Sequence, residues 1–280
     1  MRRLANKRIK PAFNKIFHLT DGCAMRLERL NSLEEYVLNK GTVSLEDLAE
    51  RFGVSINTIR RDLNELISRG QIKKVYGGVS SLHEAAPLPM SIRAAKNKEA
   101  KMMIGRMASD FVEDGDSIFL DSGSTTPYIL PGIAQKNNVI VVTHSLTAMY
   151  EASKYPSLKV IALGGMYNQS TSSYVGISTV EALSKISINK VFIAATGVSI
   201  EHGLTNTTYF EAEIKRKVMQ CSKKIILMAD QSKFDFSSTI SFFHFEDLYA
   251  VITDKKPGEE YLRVIERNNI RLLYEGTKAV

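Results

Sequence analysis

The residues best suited to chemistry fall at the ends of short apolar runs. Asp121-Ser-Gly-Ser-Thr-Thr126 closes one of them. The Asp121 carboxylate, the hydroxyls of Ser122, Ser124, Thr125 and Thr126, and the backbone N–H groups around Gly123 can surround a ligand oxyanion if a helix begins there. Phosphate is the natural guest, and a well-capped helix is the alternative that this turn alone leaves open. Asp230-Gln-Ser-Lys233 closes another run. A carboxylate that accepts from hydroxyls, beside a cation that neutralises phosphate, is what a sugar phosphate requires. Thr143-His144 sets a titratable ring after a third run, and Gly164-Gly165 places small residues after a fourth. In Tyr209-Phe-Glu-Ala-Glu-Ile-Lys215, Glu213 and Lys215 are candidate ligand contacts, while Glu211 and Lys215, four apart, also fit a plain surface ion pair.

These groups need a scaffold that brings strand ends together. Ser117 to Leu120, Val139 to Val142, Lys159 to Leu163, Lys190 to Ala195, Lys224 to Ala229 and Tyr249 to Ile252 are short runs rich in Val and Ile, separated by helical patterns. Such alternation predicts parallel strands with crossover helices, hence a Rossmann-like α/β domain over 98–280. Open parallel sheets bind ligands at the carboxyl edge of their strands, where all the small and polar groups above would gather.

A second set of functional residues lies near the other end of the chain. Leu27, Leu30, Leu33, Val37 and Leu38 recur at helical spacing, and Gly41 supplies the stop. Ser44 can cap a second helix whose stripe is Leu45, Leu48, Ala49 and Phe52. After Gly53-Val54, Ser55 can cap a third, with Ile56, Ile59, Leu63, Leu66 and Ile67 on its buried side. Two short helices joined by a tight Gly-containing turn form a helix-turn-helix, whose second helix can enter the major groove. Off the stripe lie Asn57, Thr58, Arg60, Arg61 and Asn64, whose amide, hydroxyl and guanidinium groups can bond base edges or phosphates. Gln71 to Tyr76 with Gly77-Gly78 reads as a wing, with Lys73 and Lys74 placed to flank a duplex. The candidate DNA contacts are therefore Ser44, Ser55, Asn57, Thr58, Arg60, Arg61, Asn64, Lys73 and Lys74. The alternative is a three-helix bundle with a solvated basic face.

Charge partition supports the split. Of the net +7, residues 1–82 hold 15 basic and 9 acidic side chains, a net +6, and residues 83–280 hold 22 and 21, a net +1. That is the footprint expected where the first part touches a polyanion and the second does not. Residues 1–24 carry six Lys or Arg and one acid, with no apolar face, and read as a basic extension without folded structure. It fits a phosphate-contacting arm, an organellar presequence, or a translation start placed upstream of Met25, the last being favoured because a regular pattern begins there. The winged helix-turn-helix spans 25–80, and Ser80 to Pro89, with two prolines, opens a linker over 81–97. Two distant cysteines, Cys23 and Cys221, and scattered histidines point to no disulfide framework and no metal. No apolar run is long enough for a membrane span, so a cytoplasmic protein is expected.

Leu48-Ala-Glu-Arg-Phe-Gly-Val-Ser-Ile-Asn-Thr-Ile-Arg-Arg-Asp-Leu63, followed by Gly70-Gln-Ile-Lys-Lys-Val-Tyr-Gly-Gly78, resembles the DNA-binding head of the DeoR family of bacterial sugar-catabolism regulators. The resemblance implies base-reading residues on the helix bearing Thr58, Ile59, Arg60, Arg61 and Asp62. Asp62, being acidic, is expected to orient Arg61 or another basic neighbour. The second domain is similar too: Asp121 to Thr126, Gly164-Gly165, Gly203-Leu-Thr205 with Glu211 to Lys215, and Asp230-Gln-Ser-Lys-Phe234 carry the likeness. It implies a domain similar in fold to ribose-phosphate isomerases and glucosamine-phosphate deaminases. In one departure, Thr143-His144 stands where the family commonly has Thr-Asn.

The expectation is a repressor of a sugar-catabolism operon, a homo-oligomer, dimer or tetramer, that binds double-stranded operator DNA and is released by a phosphorylated sugar, without cofactor or catalysis. The rival is a working sugar-phosphate isomerase or deaminase with a DNA-binding head, using Asp121, Glu213, Asp230 and Lys233 as acids and bases.

Overall fold

The computed structural model describes residues 26, 29–34, 36–37, 42–70, 72–75, 78–81, 88–222 and 224–277. The basic extension 1–24 and residues 82–87 of the linker lie outside them. Two units are present, Met1–Ala85 and Ala86–Val280.

In the first unit the described residues of 26–37 are helical (α1), with Leu30, Leu33 and Val37 buried. Then come β1 (Thr42–Ser44), α2 (Leu45–Phe52), α3 (Ile56–Ser68), β2 (Ile72–Val75) and β3 (Gly78–Ser81). Ser44 caps α2 by accepting from Asp47 N at 3.0 Å, and Ser55 caps α3 by accepting from Thr58 N at 3.2 Å, as their positions before apolar stripes require. Gly53 ends α2 in the left-handed region. Leu48, Ile59, Leu63 and Leu66 close over Val43, Ile72 and Val79 of the antiparallel sheet β1-β3-β2. β1 is an addition to the sequence reading: three residues are too few to display a period, and the strand exists through pairing with β3. Ile56, expected on the buried stripe, is 36% exposed; it occupies the first position of α3.

The second unit opens with α4 (Met90–Ala95) and α5 (Lys98–Ser109). The sequence reads as linker through 97, and α4 corrects that: Pro89 presets an extended N-cap, and Lys101 Nζ donates to Arg93 O and Lys96 O, holding the helix end. The chain continues through β4 (Ser117–Leu120), α6 (Leu130–Ile133), β5 (Ile140–Thr143), α7 (Leu146–Ala152), β6 (Lys159–Ala162), β7 (Met166–Asn168), β8 (Ser173–Val175), α8 (Ile177–Leu183) and β9 (Lys190–Ile193). It ends with β10 (Gly197–Ser199), β11 (Gly203–Asn206), α9 (Tyr209–Met219), β12 (Lys224–Met228), β13 (Ile240–Phe243), β14 (Ala250–Ile252), α10 (Glu259–Arg267) and β15 (Arg271–Leu273).

Seven strands form one parallel sheet in the order β15-β14-β12-β9-β4-β5-β6. Successive side chains pass to opposite faces, and both faces of the central strands are covered, while the edge strand β6 is exposed. Ile118, Leu120 and Phe192 join Ile104 and Ala108 of α5 on one side. Phe119, Val191 and Ile193 join Ala212 and Val218 of α9 and Ile265 of α10 on the other. β10-β11-β13 and β7-β8 are small antiparallel sheets. From β4 the chain builds outward through β5 to β6, then returns to the opposite side of β4 to lay down β9. Strand order therefore reverses between β4 and β9, and crossover loops there leave in opposite directions, which opens a crevice at the carboxyl ends. This is a mixed α/β chain, a winged helix-turn-helix followed by a Rossmann-like domain. Among the described residues no helix is long and apolar enough to cross a membrane.

Candidate functional site

Asp121 follows β4 directly and Ala194 follows β9, so the two meet across that reversal. Asp121 Oδ2 accepts from Lys215 Nζ at 2.6 Å and from Ala194 N at 3.1 Å, while Lys215 Nζ also donates to Ala194 O at 2.6 Å. α9 supplies Lys215. A Cβ at Gly123 would stand 2.2 Å from Ala194 Cβ, so only glycine lets the turn close against β9. Burial pushes the Asp121 carboxyl up, but the Lys215 ammonium and adjacent His144 outweigh it and hold the group well below the usual carboxylate range. Asp121 is thus held as a carboxylate in a buried site.

His144, buried after β5, stacks on Phe119 and has Nδ1 2.9 Å from Tyr174 O. A carbonyl only accepts, so Nδ1 carries a hydrogen, and Nε2 faces Asp121. Nε2 lies 3.7 Å from Asp121 Oδ1, and both atoms are buried without a hydrogen-bond partner. Two buried polar atoms that face one space without partners call for a ligand's polar groups, such as hydroxyls, between them.

Glu211 corrects the reading of α9. It is buried, accepting from Ser122 Oγ at 2.7 Å, Asn206 Nδ2 at 3.0 Å and Thr208 Oγ1 at 3.3 Å. Glu213 instead turns away to Arg216, 2.6 Å distant. Helical phase explains this: positions 211 and 215 share the buried stripe with Val218, and 213 lies off it. The signal was present as the four-residue spacing that also fits a surface pair.

The 121–126 turn is less open than its hydroxyl count suggests. It leads into a 3-10 turn at Thr126–Ile129 and the four-residue α6, and Pro127 removes an N–H. Thr126 donates to Asp121 O and Gly123 O, and Ser122 to Glu211. Ser124 and Thr125 keep hydroxyls that no other described group engages. Gly165 lies at φ 150°, where a Cβ would fall 2.4 Å from Thr179 Oγ1, so its glycine serves the backbone of the β6–β7 turn.

A second group gathers after β12. Asp230 Oδ1 accepts from Asn97 Nδ2 at 2.9 Å and from Ser232. Burial pulls the Lys233 amine below its ordinary range, with Asp230 opposing and Arg93 adding. Lys101 is likewise pushed down to about 8, mainly by burial. Arg93 feels Glu211 and Asp121 of the first group. Sequence reasoning missed Arg93, Asn97, Asn206, Glu211 and Ser173 of β8, whose Oγ lies 3.5 Å from Glu211 Oε1; for Arg93 and Asn97 the reading as linker hid them.

In the head, Asn57, Arg60, Arg61 and Asn64 are exposed on α3, and the Thr58 and Ser55 hydroxyls lie 2.9 Å apart. Asp62 is 2% exposed and accepts from Arg29 Nε at 2.8 Å, so the basic neighbour it orients is on α1 and is not Arg61. Lys73 and Lys74 are both exposed but leave β2 on opposite faces, so they do not flank one surface together. Ser44 and Ser55 spend their hydroxyls as caps.

Comparison with known proteins places these two regions. Residues 29–85 match the DeoR-like helix-turn-helix domain, and 96–255 match the DeoR C terminal sensor domain. The HTH-type transcriptional regulator IolR of Bacillus subtilis is 39% identical over 246 residues, 88% of this chain and 98% of that protein. The glycerol-3-phosphate regulon repressor of Escherichia coli is 27% identical over 245 residues, 88% of this chain and 97% of that protein. Among solved structures, ribose 5-phosphate isomerase A from Methanocaldococcus jannaschii aligns with 50% of this chain and 55% of its own at 17% identity, with a TM-score of 0.37.

Proposed function

The chain belongs to the DeoR family of DNA-binding transcriptional regulators, and from that premise we propose that it represses a carbohydrate-catabolism operon and is released from its operator by a phosphorylated sugar. The observation that carries the effector class is the buried pair Asp121 Oδ1 and His144 Nε2, two polar atoms 3.7 Å apart without hydrogen-bond partners, together with the buried, partnerless Nη2 of Arg93. Sugar hydroxyls supply the donors and phosphate the anion. One relative is named a glycerol-3-phosphate regulon repressor, which supports a phosphorylated effector.

The proposed working form is a homo-oligomer, dimer or tetramer, that sets two α3 helices on operator half-sites. Arg60, Arg61, Asn57 and Asn64 face the duplex. Bound effector favours an arrangement of the heads that no longer matches half-site spacing. The coupling needs a few kcal/mol, each ~1.4 kcal/mol changing operator affinity tenfold. Catalysis is not part of the proposal: of the acids and bases it would use, Glu213 turns away to Arg216 and Asp230 is bonded to Asn97 and Ser232.

Fluorescence anisotropy of the protein on a labelled fragment from upstream of its own gene, titrated with a panel of sugar phosphates, tests this. Release by one member is expected. Specific binding indifferent to every member would overturn the effector assignment, and conversion of a member to product would revive the enzymatic rival.

A further inference from the structure

We infer that Arg93, on α4, is an anion contact of the effector site and closes with Lys233 on the phosphate end of the ligand; this rests on the sugar-phosphate reading above. At the carboxyl edge the other charged groups are accounted for. Lys215 is held by Asp121 and Ala194 O. Lys101 donates to Arg93 O and Lys96 O. Asp230 accepts from Asn97 and Ser232, and Glu211 from Ser122, Asn206 and Thr208. Two cations remain. The Arg93 guanidinium donates from Nε to Leu88 O at 2.9 Å, and its Nη2 is buried with no acceptor. The Lys233 ammonium makes no hydrogen bond or ion pair among the described residues.

A buried guanidinium N–H without an acceptor forfeits its hydration for nothing, unless an anion arrives. Phosphate is suited to both groups at once, since its oxygens accept from a planar fork and from a point charge. Arg93 O accepts from Lys101, and Asn97, four residues on, donates to Asp230, which sets the end of α4 beside that half of the site; the charges of Glu211 and Asp121 in the other half act on Arg93 as well. A ligand with hydroxyls at Asp121 and His144 and phosphate at Arg93 and Lys233 would span them.

The position of Arg93 in the chain adds a consequence. Polypeptide from the head enters this unit at Ala86 and reaches α4 at Met90. The helix has one turn and a half, and Lys101 and the Arg93 side chain itself tie its ends down. Any movement of Arg93 toward phosphate is therefore delivered to the segment that joins the head, so binding and signalling share one residue.

The test uses the full chain. Thermal-shift and calorimetric titrations are run with inorganic phosphate and with a panel of pentose and hexose monophosphates, against the unphosphorylated sugars and against sodium chloride at matched ionic strength. Arg93→Gln is expected to weaken phosphate and effector affinity by roughly tenfold or more, with Arg93→Lys intermediate because it keeps charge and loses the fork. Operator affinity without effector should stay within about twofold of wild type. Binding by Arg93→Gln equal to wild type would overturn the inference while the sugar-phosphate reading stood. A wild-type protein indifferent to phosphate and to every panel member would overturn both. Should Arg93→Gln fail to fold, Arg93→Lys decides: unchanged phosphate affinity overturns the inference, and a loss of about threefold or more supports it.

Discussion

Arg60 and Lys215 are each a single cation that a helix offers to a ligand site, and the two regions treat them in opposite ways. Arg60, with Arg61 beside it, stands in solvent on α3. Lys215 is 3% exposed and clasped between Asp121 and Ala194 O. In the head, charge stays hydrated until a polyanion displaces its counterions, so it adds to binding, depends on salt and contributes little to stability. In the sensor, charge was desolvated on folding. Its compensation is part of the stability, and the site it makes is fixed before the ligand comes. Function can be removed from the head without touching the fold; in the sensor the two are coupled.

Breaking the buried pair gives the largest effect. Lys215→Met strands the Asp121 carboxylate, and the sensor is expected to lose about 3–5 kcal/mol, read as a fall in the urea midpoint. Asp121→Asn added to it should restore much of that loss, and strict additivity of the two would contradict a shared pair. Next comes the head. Arg60→Ala and Arg61→Ala should each weaken operator binding by about 1–3 kcal/mol and leave the unfolding midpoint unchanged. Whichever of them contacts phosphate should also flatten the slope of log affinity against log salt by about one. A stability loss matching the affinity loss would erase the contrast between the regions.

A smaller effect is set by pH. Lys101 is pushed down to about 8 in the fold. Between there and its ordinary value near 10.5 the unfolded chain binds more protons, so stability should rise with pH across that window. Effector affinity should move the other way, because an anion favours the protonated amines of Lys101 and Lys233 and binding takes up protons. Calorimetric titration from pH 7 to 9, as an approximate range above the second phosphate pKa of about 6, is expected to show weakening. Strengthening over that range would contradict it. Smallest of all, Glu213→Ala should leave effector affinity unchanged, whereas Glu211→Ala should reduce it; equal losses would mean that α9 is turned differently.

The two regions also differ in how openly their sequences declare them. Helix caps, a tight turn between helices and exposed polar residues on α3 are local features, and Ser44, Ser55, Arg60 and Arg61 could be placed from spacing alone. The sensor site joins residues from far apart in the chain: Asp121 to Lys215 across 94 positions and Asn97 to Asp230 across 133. Spacing of apolar runs announced a parallel sheet and which loops would line its edge. It did not single out Glu211, since its four-residue spacing from Lys215 fits an exposed pair as well as a buried stripe, and contact with Ser122 and Asn206 decides between them. Nor did it promote Arg93, because two prolines and a polar stretch look the same whether or not a short helix follows.

By itself the sequence determined the class of each domain, the cation-rich partition toward the head and the candidate turns, because periodicity, caps and composition act over a few residues. The tertiary structure alone decided strand order, and with it the reversal between β4 and β9 that sets Asp121 against Ala194. It also decided which charges are spent on each other and which are left for a ligand. Burial and pairing arise from groups brought together across the chain, and local spacing carries no record of that meeting.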